Sequence, residues 1–365
     1  MISRILIENF KSLKKTDINV CSLNLLMGLN GMGKSSFLQA LLLLMQSDKL
    51  EDKIVDLNGI FVQIGQGKDA LYQFAEGKNI VLGLELNEQQ LFSWKFPYQS
   101  DKEKLTAKKG YTKEQMKLFR ENMKQFQYIS AERIGPRDIY ETSSVVVADK
   151  KQLGLLGEYA AYFIEIFGLD YSVPEGVRYP DAASKKLTHQ LNAWMQEISP
   201  GVLINTKYVP VANKVILDYQ FELIKSKTNS FRPKNVGFGI TYVLPVVLAL
   251  LTAEEGKIIV IENPESNIHP KGQAALGKLI ALAANIGAQL FIETHSDHIL
   301  NGIRVAVKEK SIDKSKVNVM YFDKLTTDTE QFSNITPIKV DKNGELSEYP
   351  KDFMDEWSNQ LLKLV

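Results

Sequence analysis

The stretch that decides the fold is Leu23-Asn24-Leu25-Leu26-Met27-Gly28-Leu29-Asn30-Gly31-Met32-Gly33-Lys34-Ser35-Ser36-Phe37. It begins with an apolar run that is typical of a buried strand and continues through a glycine-rich turn. It ends in residues 36–45, which are apolar on most sides and predict a buried helix. In this order the backbone N–H groups of the turn and the N-terminus of the helix face one point, so an anion site is expected there.

The turn matches the Gly-x4-Gly-Lys-Ser pattern of P-loops. Its glycines let the backbone close around phosphate oxygens, the lysine reaches the β- and γ-phosphates, and the serine hydroxyl binds Mg²⁺. The sequence therefore predicts a site for ATP and Mg²⁺, with a simple glycine turn as the alternative. The predicted nucleotide-binding residues are Lys11, Asn30, Gly31, Met32, Gly33, Lys34, Ser35 and Ser36.

Two later strand ends carry polar residues that suit such a site. Residues 258–261 are all β-branched and predict a strand buried on both faces of a parallel sheet, and Glu262 follows them. Ligands bind at the carboxyl ends of such strands, so we expect Glu262 to bind Mg²⁺ directly or through water. The next predicted strand, 289–293, precedes His295, which we expect near the γ-phosphate; a purely structural histidine is the alternative.

Composition narrows the class of protein. The chain has 365 residues and a net charge of +1, which gives no support for a dedicated nucleic-acid binder. Cys21 is the only cysteine, so a disulfide within the chain and a multi-cysteine zinc site are excluded. The N-terminus lacks the apolar core of a signal peptide, and the longest apolar stretch, 242–251, is too short to span a bilayer. We expect a cytoplasmic protein without membrane contacts.

Short motifs resemble those of ABC-type ATPases related to RecF, the SMC proteins and the overcoming-lysogenization-defect nucleases. Residues 7–12 resemble their Asn-Phe-Lys-Ser start, residues 262–270 their Asp-Glu-Pro-Glu-x-x-Leu-His-Pro segment, and residues 294–296 their switch-histidine motif. Residues 128–137 and 341–355 are similar to an uncharacterised prokaryotic branch of AAA-family ATPases. Members of that branch are often suspected of anti-phage defence.

The resemblance implies an α/β P-loop NTPase fold of ABC-ATPase type, with a mixed sheet, a flanking antiparallel sheet and a helical subdomain. Strand-like runs at 60–62, 80–84 and 91–94 favour that antiparallel sheet, and the last predicted elements are a strand at 317–322 and a helix from Phe353. The predicted segments are an N-terminal ATPase lobe (1–140), a helical subdomain (141–200), a C-terminal ATPase lobe (201–310) and a strand-helix segment (311–365).

The resemblance also implies a head-to-tail homodimer. Each ATP would lie between the P-loop of one copy and the signature loop of the other, so binding would close the dimer and hydrolysis would open it. Glycine N–H groups and a threonine hydroxyl suit a γ-phosphate, and a glycine-containing helix cap is the alternative. The predicted signature-loop residues are Gly237, Phe238, Gly239 and Thr241.

One departure from the family pattern affects the chemistry. Asn263 stands where the family has the carboxylate that polarises the attacking water, and an amide can orient water without accepting a proton. Glu265 is the alternative carboxylate, and we expect weak ATPase turnover. The candidate catalytic residues are Glu262, Asn263, Glu265 and His295, with Ser35 and Glu262 as metal ligands.

Three functions stay open from the sequence. The first is an ATPase switch that controls a separate effector, a nuclease or toxin, in anti-phage defence; the second is a RecF-like DNA clamp; the third is a non-hydrolysing scaffold. The lysine-rich residues 102–124 are either a solvated face or a DNA contact. Arg133 and Arg137 either contact phosphate or a partner or form ion pairs, and Gln63 and Gln66 are candidates for a Mg²⁺-sensing glutamine.

Overall fold

The computed structural model describes residues 1–351, 353 and 360–364. The chain forms two compact units, each discontinuous in sequence. The first unit comprises Met1–Gln125, Val317–Val340 and Leu346–Val365, and the second comprises Phe126–Lys316 and Asp341–Glu345. The division into four consecutive segments stays a prediction, and most of the predicted helix from Phe353 lies outside the described residues.

The elements alternate between strands and helices along most of the chain. The strands are β1 (Ile2–Phe10), β2 (Leu13–Asn19), β3 (Leu23–Gly28), β4 (Ile54–Asp56), β5 (Asn79–Leu86), β6 (Gln90–Pro97), β7 (Lys104–Thr106), β8 (Phe126–Ile129), β9 (Val202–Val209), β10 (Lys214–Phe221), β11 (Ile258–Glu262), β12 (Gln289–Glu293), β13 (Val317–Thr326) and β14 (Gln331–Ile338). The α-helices are α1 (Lys34–Gln46), α2 (Gly67–Ala70), α3 (Lys113–Asn122), α4 (Ala160–Phe167), α5 (Leu187–Ile198), α6 (Phe238–Leu251), α7 (Pro270–Asn285) and α8 (Asp297–Lys308).

An antiparallel sheet in the order β2-β1-β5-β6 lies in the first unit. Its inward faces carry the apolar residues, as alternation predicts, and the strand predictions at 80–84 and 91–94 are confirmed. The prediction at 60–62 is wrong. The side chain of Gln46 accepts the backbone N–H groups of Phe61 and Val62, at 3.0 and 2.9 Å, so a helix side chain occupies donors that a neighbouring strand would need.

A mixed set of strands in the same unit carries the glycine-rich turn. β3 pairs in parallel with β13, and β13 pairs antiparallel with β14. β13 confirms the strand predicted at 317–322 and continues to Thr326, whereas β14 was not predicted. The turn therefore begins at the carboxyl end of a parallel strand and leads into α1, whose leucine-rich run is buried as predicted.

The second unit contains a parallel sheet in the order β12-β11-β8. Residues 258–261 are fully buried, so the prediction of a strand covered on both faces is confirmed. Glu262 and Glu293 are register partners at the carboxyl ends of adjacent strands. β9 and β10 form an antiparallel pair. None of the helices in the described residues is long and apolar enough to cross a membrane.

Lys257 gives the second unit a pH-dependent stability. Its ammonium group donates to the carbonyl oxygen of Thr252 at 2.9 Å, and burial lowers its pKa to about 8. The pKa of Lys257 is lower in the folded protein than in the unfolded chain. The folded state is therefore most stable above the pKa of the unfolded chain, and this stability is lost as the pH falls through the pKa of the folded protein. Relative to Lys257→Met, the free energy of unfolding of the wild type should fall by about 2–3 kcal/mol from pH ~11 to pH ~7.

Urea denaturation of both proteins across this pH range measures the difference. Lys308→Met, a change at an exposed lysine of the same unit, is the matched control. Parallel stability curves for the wild type and Lys257→Met would contradict the prediction.

Candidate functional site

The glycines of the turn in the first unit are required by space and by backbone conformation. Gly28 and Gly33 have φ values of 134° and 106°, which L side chains rarely adopt. A Cβ on Gly28 would lie 2.2 Å from the carbonyl oxygen of Phe322, and one on Gly33 would lie 2.2 Å from the hydroxyl of Ser333. The main chain of the turn is therefore held against β13 and β14.

Lys34 lies inside this turn. Its side chain is 3% exposed, and its ammonium group donates to the carbonyl oxygens of Gly28 and Leu29 at 2.8 and 2.9 Å. Since α1 begins at this lysine, the positive end of the helix dipole and the ammonium group lie at the same place. Ser35 follows with an exposed side chain in the first helical turn. This arrangement suits a polyphosphate.

Two further groups of the first unit contact the start of α1. Lys11 has a φ of 52°, and its ammonium group donates to Gln39 at 2.8 Å; burial lowers the pKa of that lysine. The hydroxyl of Ser12 lies 2.7 Å from that of Ser333. Ser333 was missed from the sequence because β14 was not predicted, and a serine in an unassigned segment carries no motif.

The glutamines proposed as Mg²⁺ sensors have other surroundings in the first unit. Gln63 is exposed, and Gln66 is the residue that caps the short helix α2 together with Asp69. Capping accounts for Gln66 without a ligand. The lysine-rich helix α3 buries Met116 and Phe119 and turns its charges to solvent, as a solvated amphipathic helix does.

In the second unit, the carboxylate of Glu262 is held at the end of β11. The hydroxyl of Tyr128 donates to one oxygen at 2.9 Å, and the backbone N–H of Ala131 donates to the other at 3.2 Å. Burial, and then the negative charge of Glu262, raises the pKa of Tyr128, so this phenol stays a donor. Each carboxylate oxygen keeps a second lone pair that can bind a cation or a water.

Asn263 and Glu265 follow in a tight turn. Asn263 has a φ of 44°, a left-handed conformation that asparagine tolerates better than most residues. One oxygen of Glu265 accepts the backbone N–H of His295 at 2.7 Å. Among the described residues, the other oxygen of Glu265 and the amide oxygen of Asn263 are buried acceptors without a hydrogen-bond partner. Such acceptors are rare in proteins and concentrate at functional sites.

The structure thus brings the predicted catalytic residues of the second unit together. His295 is exposed just beyond β12, and its backbone is tied to Glu265. Ser296 caps α8 by accepting the N–H of Ile299 at 3.1 Å, which fixes the direction of the chain after the histidine. The Glu262-to-His295 cluster is therefore rigid at its main chain. That it acts on a nucleotide held by the P-loop stays a prediction.

Arg133 does not fill any of the roles considered from the sequence. It is 2% exposed, and its guanidinium donates to carbonyl oxygens at the ends of β8 and β11 and in α6. Burial lowers its pKa to about 10. Arg133 is therefore a buried donor to main-chain carbonyls, whereas Arg137 is exposed.

The predicted signature loop is only partly at the surface. Gly237 is exposed and Phe238 is 48% exposed, whereas Gly239 is buried at the start of α6. Thr241 is 3% exposed, and its hydroxyl pairs with that of Tyr219 at 2.9 Å. The prediction that the Thr241 hydroxyl faces a second chain is therefore wrong, because the helix turns that side chain into the core.

Two solved structures have the same fold as this chain. The SMC head bound to the C-winged helix domain of ScpA is 11% identical to this chain, with 93% of this chain and 98% of that chain covered and a TM-score of 0.52. The SMC head domain with an extended coiled coil, bound to the C-terminal domain of ScpA derived from Pyrococcus furiosus, is 10% identical, with 100% and 98% covered and a TM-score of 0.53. The predicted P-loop NTPase fold of ABC-ATPase type is confirmed.

The family follows from the sequence itself. Residues 99–301, more than half of the chain, match the family described as "AAA domain, putative AbiEii toxin, Type IV TA system", and the chain belongs to this family. Residues 1–162 match the family described as "AAA ATPase domain", and residues 312–364 match "Protein of unknown function (DUF3696)". The predicted membership of the RecF- and SMC-like AAA ATPases is confirmed.

A curated relative is similar over a short region. The uncharacterized protein MJ1542 of Methanocaldococcus jannaschii is 33% identical over 66 residues, which are 18% of this chain. The match covers 8% of that relative, so this chain accounts for a small part of its length.

Gly239 gives a stability test with a matched partner two residues away. A Cβ on Gly239 would lie 2.0 Å from the carbonyl oxygen of Asn267, whereas a Cβ on Gly237 would meet its nearest atom at 4.0 Å. Alanine normally stabilises a helix by about 1 kcal/mol relative to glycine. We nevertheless expect Gly239→Ala to lower the free energy of unfolding by about 1–3 kcal/mol, because the clash is with main chain.

Urea denaturation of Gly239→Ala, Gly237→Ala and the wild type checks this expectation. Gly237→Ala should stay within about 0.5 kcal/mol of the wild type. A Gly239→Ala protein as stable as the wild type would show that α6 does not need the close approach.

Proposed function

We propose that this protein is an ATP-binding switch that hydrolyses ATP slowly. The observation that carries the proposal is the P-loop: left-handed glycines, the Lys34 ammonium inside the turn, and a helix that begins at the same residue. Backbone N–H groups, a helix N-terminus and a lysine together recognise the charge of a triphosphate. Membership in an AAA ATPase family supports the same nucleotide class.

Slow hydrolysis follows from the turn after β11. Asn263 occupies the position of the general base and cannot take a proton from water. Glu265 could replace it, but one of its oxygens already accepts the N–H of His295. We propose that Asn263 orients the attacking water through its buried amide oxygen, Glu265 supports it, and His295 contacts the γ-phosphate.

We propose Ser35 and Glu262 as ligands of Mg²⁺, as the resemblance to ABC-type ATPases implies. Ser35 presents a hydroxyl in the first turn of α1, and Glu262 presents a carboxylate with unused lone pairs. Both are oxygen ligands of the kind that Mg²⁺ takes, usually together with phosphate and water. Among the described residues, no group of three or more acidic, histidine or cysteine side chains could hold a metal ion. Bound Mg²⁺ would neutralise charge on the phosphates.

We further propose that ATP closes a head-to-tail homodimer. Support comes from the resemblance to ABC-type ATPases and from the exposure of Gly237 and Phe238 ahead of α6. The backbone N–H of Ile240 donates to the carbonyl oxygen of Gly237 at 3.1 Å, so the N–H groups of Phe238 and Gly239 are the first-turn donors of α6 that can face an anion. The proposed contact surface is therefore Gly237 and Phe238, without the Thr241 hydroxyl.

A separate effector is the proposed target of the switch. The description of the matched family names a putative toxin of a type IV toxin–antitoxin system. The sequence also resembles ATPases that are suspected of anti-phage defence. We propose that the dimer controls a toxin or nuclease supplied by another chain, in the cytoplasm. A basic groove for DNA is not needed in this proposal, and the net charge of +1 agrees with that.

Lys34→Ala tests nucleotide binding. The variant removes the ammonium group from the P-loop, so we expect ATP affinity to fall at least about 100-fold, as the loss of a charged hydrogen-bonding group predicts. Isothermal titration calorimetry measures the affinity, and Lys15→Ala, at an exposed lysine of the same unit, is the matched control. Unchanged affinity in a folded Lys34→Ala protein would refute the proposed site.

Asn263→Asp tests the cause of slow hydrolysis. Aspartate is isosteric, tolerates the left-handed conformation and adds a proton acceptor. Because general-base catalysis contributes at least about 100-fold, we expect kcat for ATP hydrolysis to rise by about tenfold or more. Phosphate release measures kcat, with Asn263→Ala as the variant that adds no base.

Two outcomes would change the proposal. Wild-type turnover of many ATP molecules per second would contradict slow hydrolysis. No turnover in either protein, combined with ATP-dependent dimerisation in size-exclusion chromatography, would select the non-hydrolysing scaffold.

A further inference from the structure

Arg133 is a buried cation whose hydrogen bonds all go to main-chain oxygens. Its Nη1 donates to the carbonyl oxygens of Glu262 at 2.6 Å and Ser130 at 3.1 Å, and its Nη2 donates to that of Asn263 at 2.7 Å. Its Nε donates to the carbonyl oxygen of Tyr242 at 3.1 Å. Burying a charge is costly, so an apolar side chain would be the simpler way to fill this space.

These contacts tie three elements of the second unit to one side chain. Ser130 follows β8, Glu262 ends β11, and Tyr242 lies in α6. The guanidinium also lies 4.6 Å from the centre of the Tyr242 ring, and the Tyr242 hydroxyl donates to the carbonyl oxygen of Ala131 at 2.7 Å. The start of α6 is therefore connected to the end of β11 through Arg133.

The two shortest contacts fix the conformation of Asn263. The carbonyl groups of Glu262 and Asn263 converge on the two Nη atoms of one planar guanidinium. Their relative orientation depends on the backbone angles of Asn263, whose φ is 44°. A left-handed conformation of a non-glycine residue persists only where the surroundings hold it. Two main-chain hydrogen bonds also hold Asn263: its N–H donates to the carbonyl oxygen of Glu293 at 2.8 Å, and its carbonyl oxygen accepts the N–H of Ser266 at 3.1 Å. Arg133 adds the side-chain part of that constraint and so helps to set the direction in which the Asn263 side chain points.

We propose that Arg133 is a positioning residue for ATP hydrolysis: it orients Glu262 and Asn263 through their main chain and connects them to α6. This inference rests on the proposed ATPase function. Only arginine fits the role, because lysine offers a point charge that cannot hold two carbonyl groups in a fixed plane. Arg133 is 2% exposed and its guanidinium donates to main-chain carbonyl oxygens, so the proposed role acts through the main chain.

The experiment compares Arg133→Lys and Arg133→Met with the wild type and with Arg137→Gln, an exposed control four residues away. Steady-state kinetics give kcat and KM for ATP, calorimetry gives ATP affinity, and thermal melting gives the folded fraction. We expect kcat to fall about 10- to 100-fold in Arg133→Met and less in Arg133→Lys. ATP affinity and KM should stay within about twofold, because the P-loop is untouched.

The outcomes distinguish a failure of the positioning role of Arg133 from a failure of the proposed ATPase function. A folded Arg133→Lys protein with wild-type kcat would overturn the positioning role and leave the proposed ATPase function in place. The same conclusion would follow if ATP affinity in the Arg133 variants fell as much as kcat did. If Arg133→Met does not fold, Arg133→Lys carries the test. A wild-type protein that binds ATP without turning it over would instead reject the proposed hydrolysis, and the positioning role with it.

Discussion

Backbone carbonyl groups at the ends of buried strands must find donors, and this constraint shapes both units. The carbonyl oxygens of Gly28 and Leu29, beyond β3, accept the ammonium group of Lys34. Those of Glu262 and Asn263, at the end of β11, accept the guanidinium of Arg133. Unpaired buried carbonyl groups cost about 1–3 kcal/mol each, so a cationic side chain stabilises each sharp turn. Both residues are almost fully buried: Lys34 is itself proposed to contact ATP, whereas Arg133 is proposed to act through the main chain.

Close approach of main chain to main chain is the second organising feature. Gly28 lies against the carbonyl oxygen of Phe322, and Gly239 lies against that of Asn267. In both places a Cβ would overlap an oxygen that has no freedom to move. The two glycines thus have different tasks: Gly28 lets the turn of the proposed phosphate site form, whereas Gly239 brings the start of α6 onto the turn after β11.

The comparison with SMC heads shows how little sequence this fold requires. Identities of 10% and 11% accompany TM-scores above 0.5 over nearly the whole chain. In this chain, polar residues follow the buried parallel strands β11 and β12, at the carboxyl ends where ligands bind in such sheets. The chemistry proposed for this chain depends on the residues at those strand ends.

The sequence alone determined the strand–loop–helix order, the P-loop glycines, the buried strand before Glu262 and the placement of polar residues after it. These features depend on residues that are close together in the sequence, because apolar periodicity and the positions of glycines can be read from one short segment. Only the tertiary structure decided that Thr241 is buried against Tyr219, that residues 61 and 62 bond to Gln46, and that Arg133 holds the turn at Asn263. Those contacts join residues that are far apart in the chain. Which residues meet is decided by packing and by the need to pair every buried polar group, and the spacing of residues in the sequence does not reveal it.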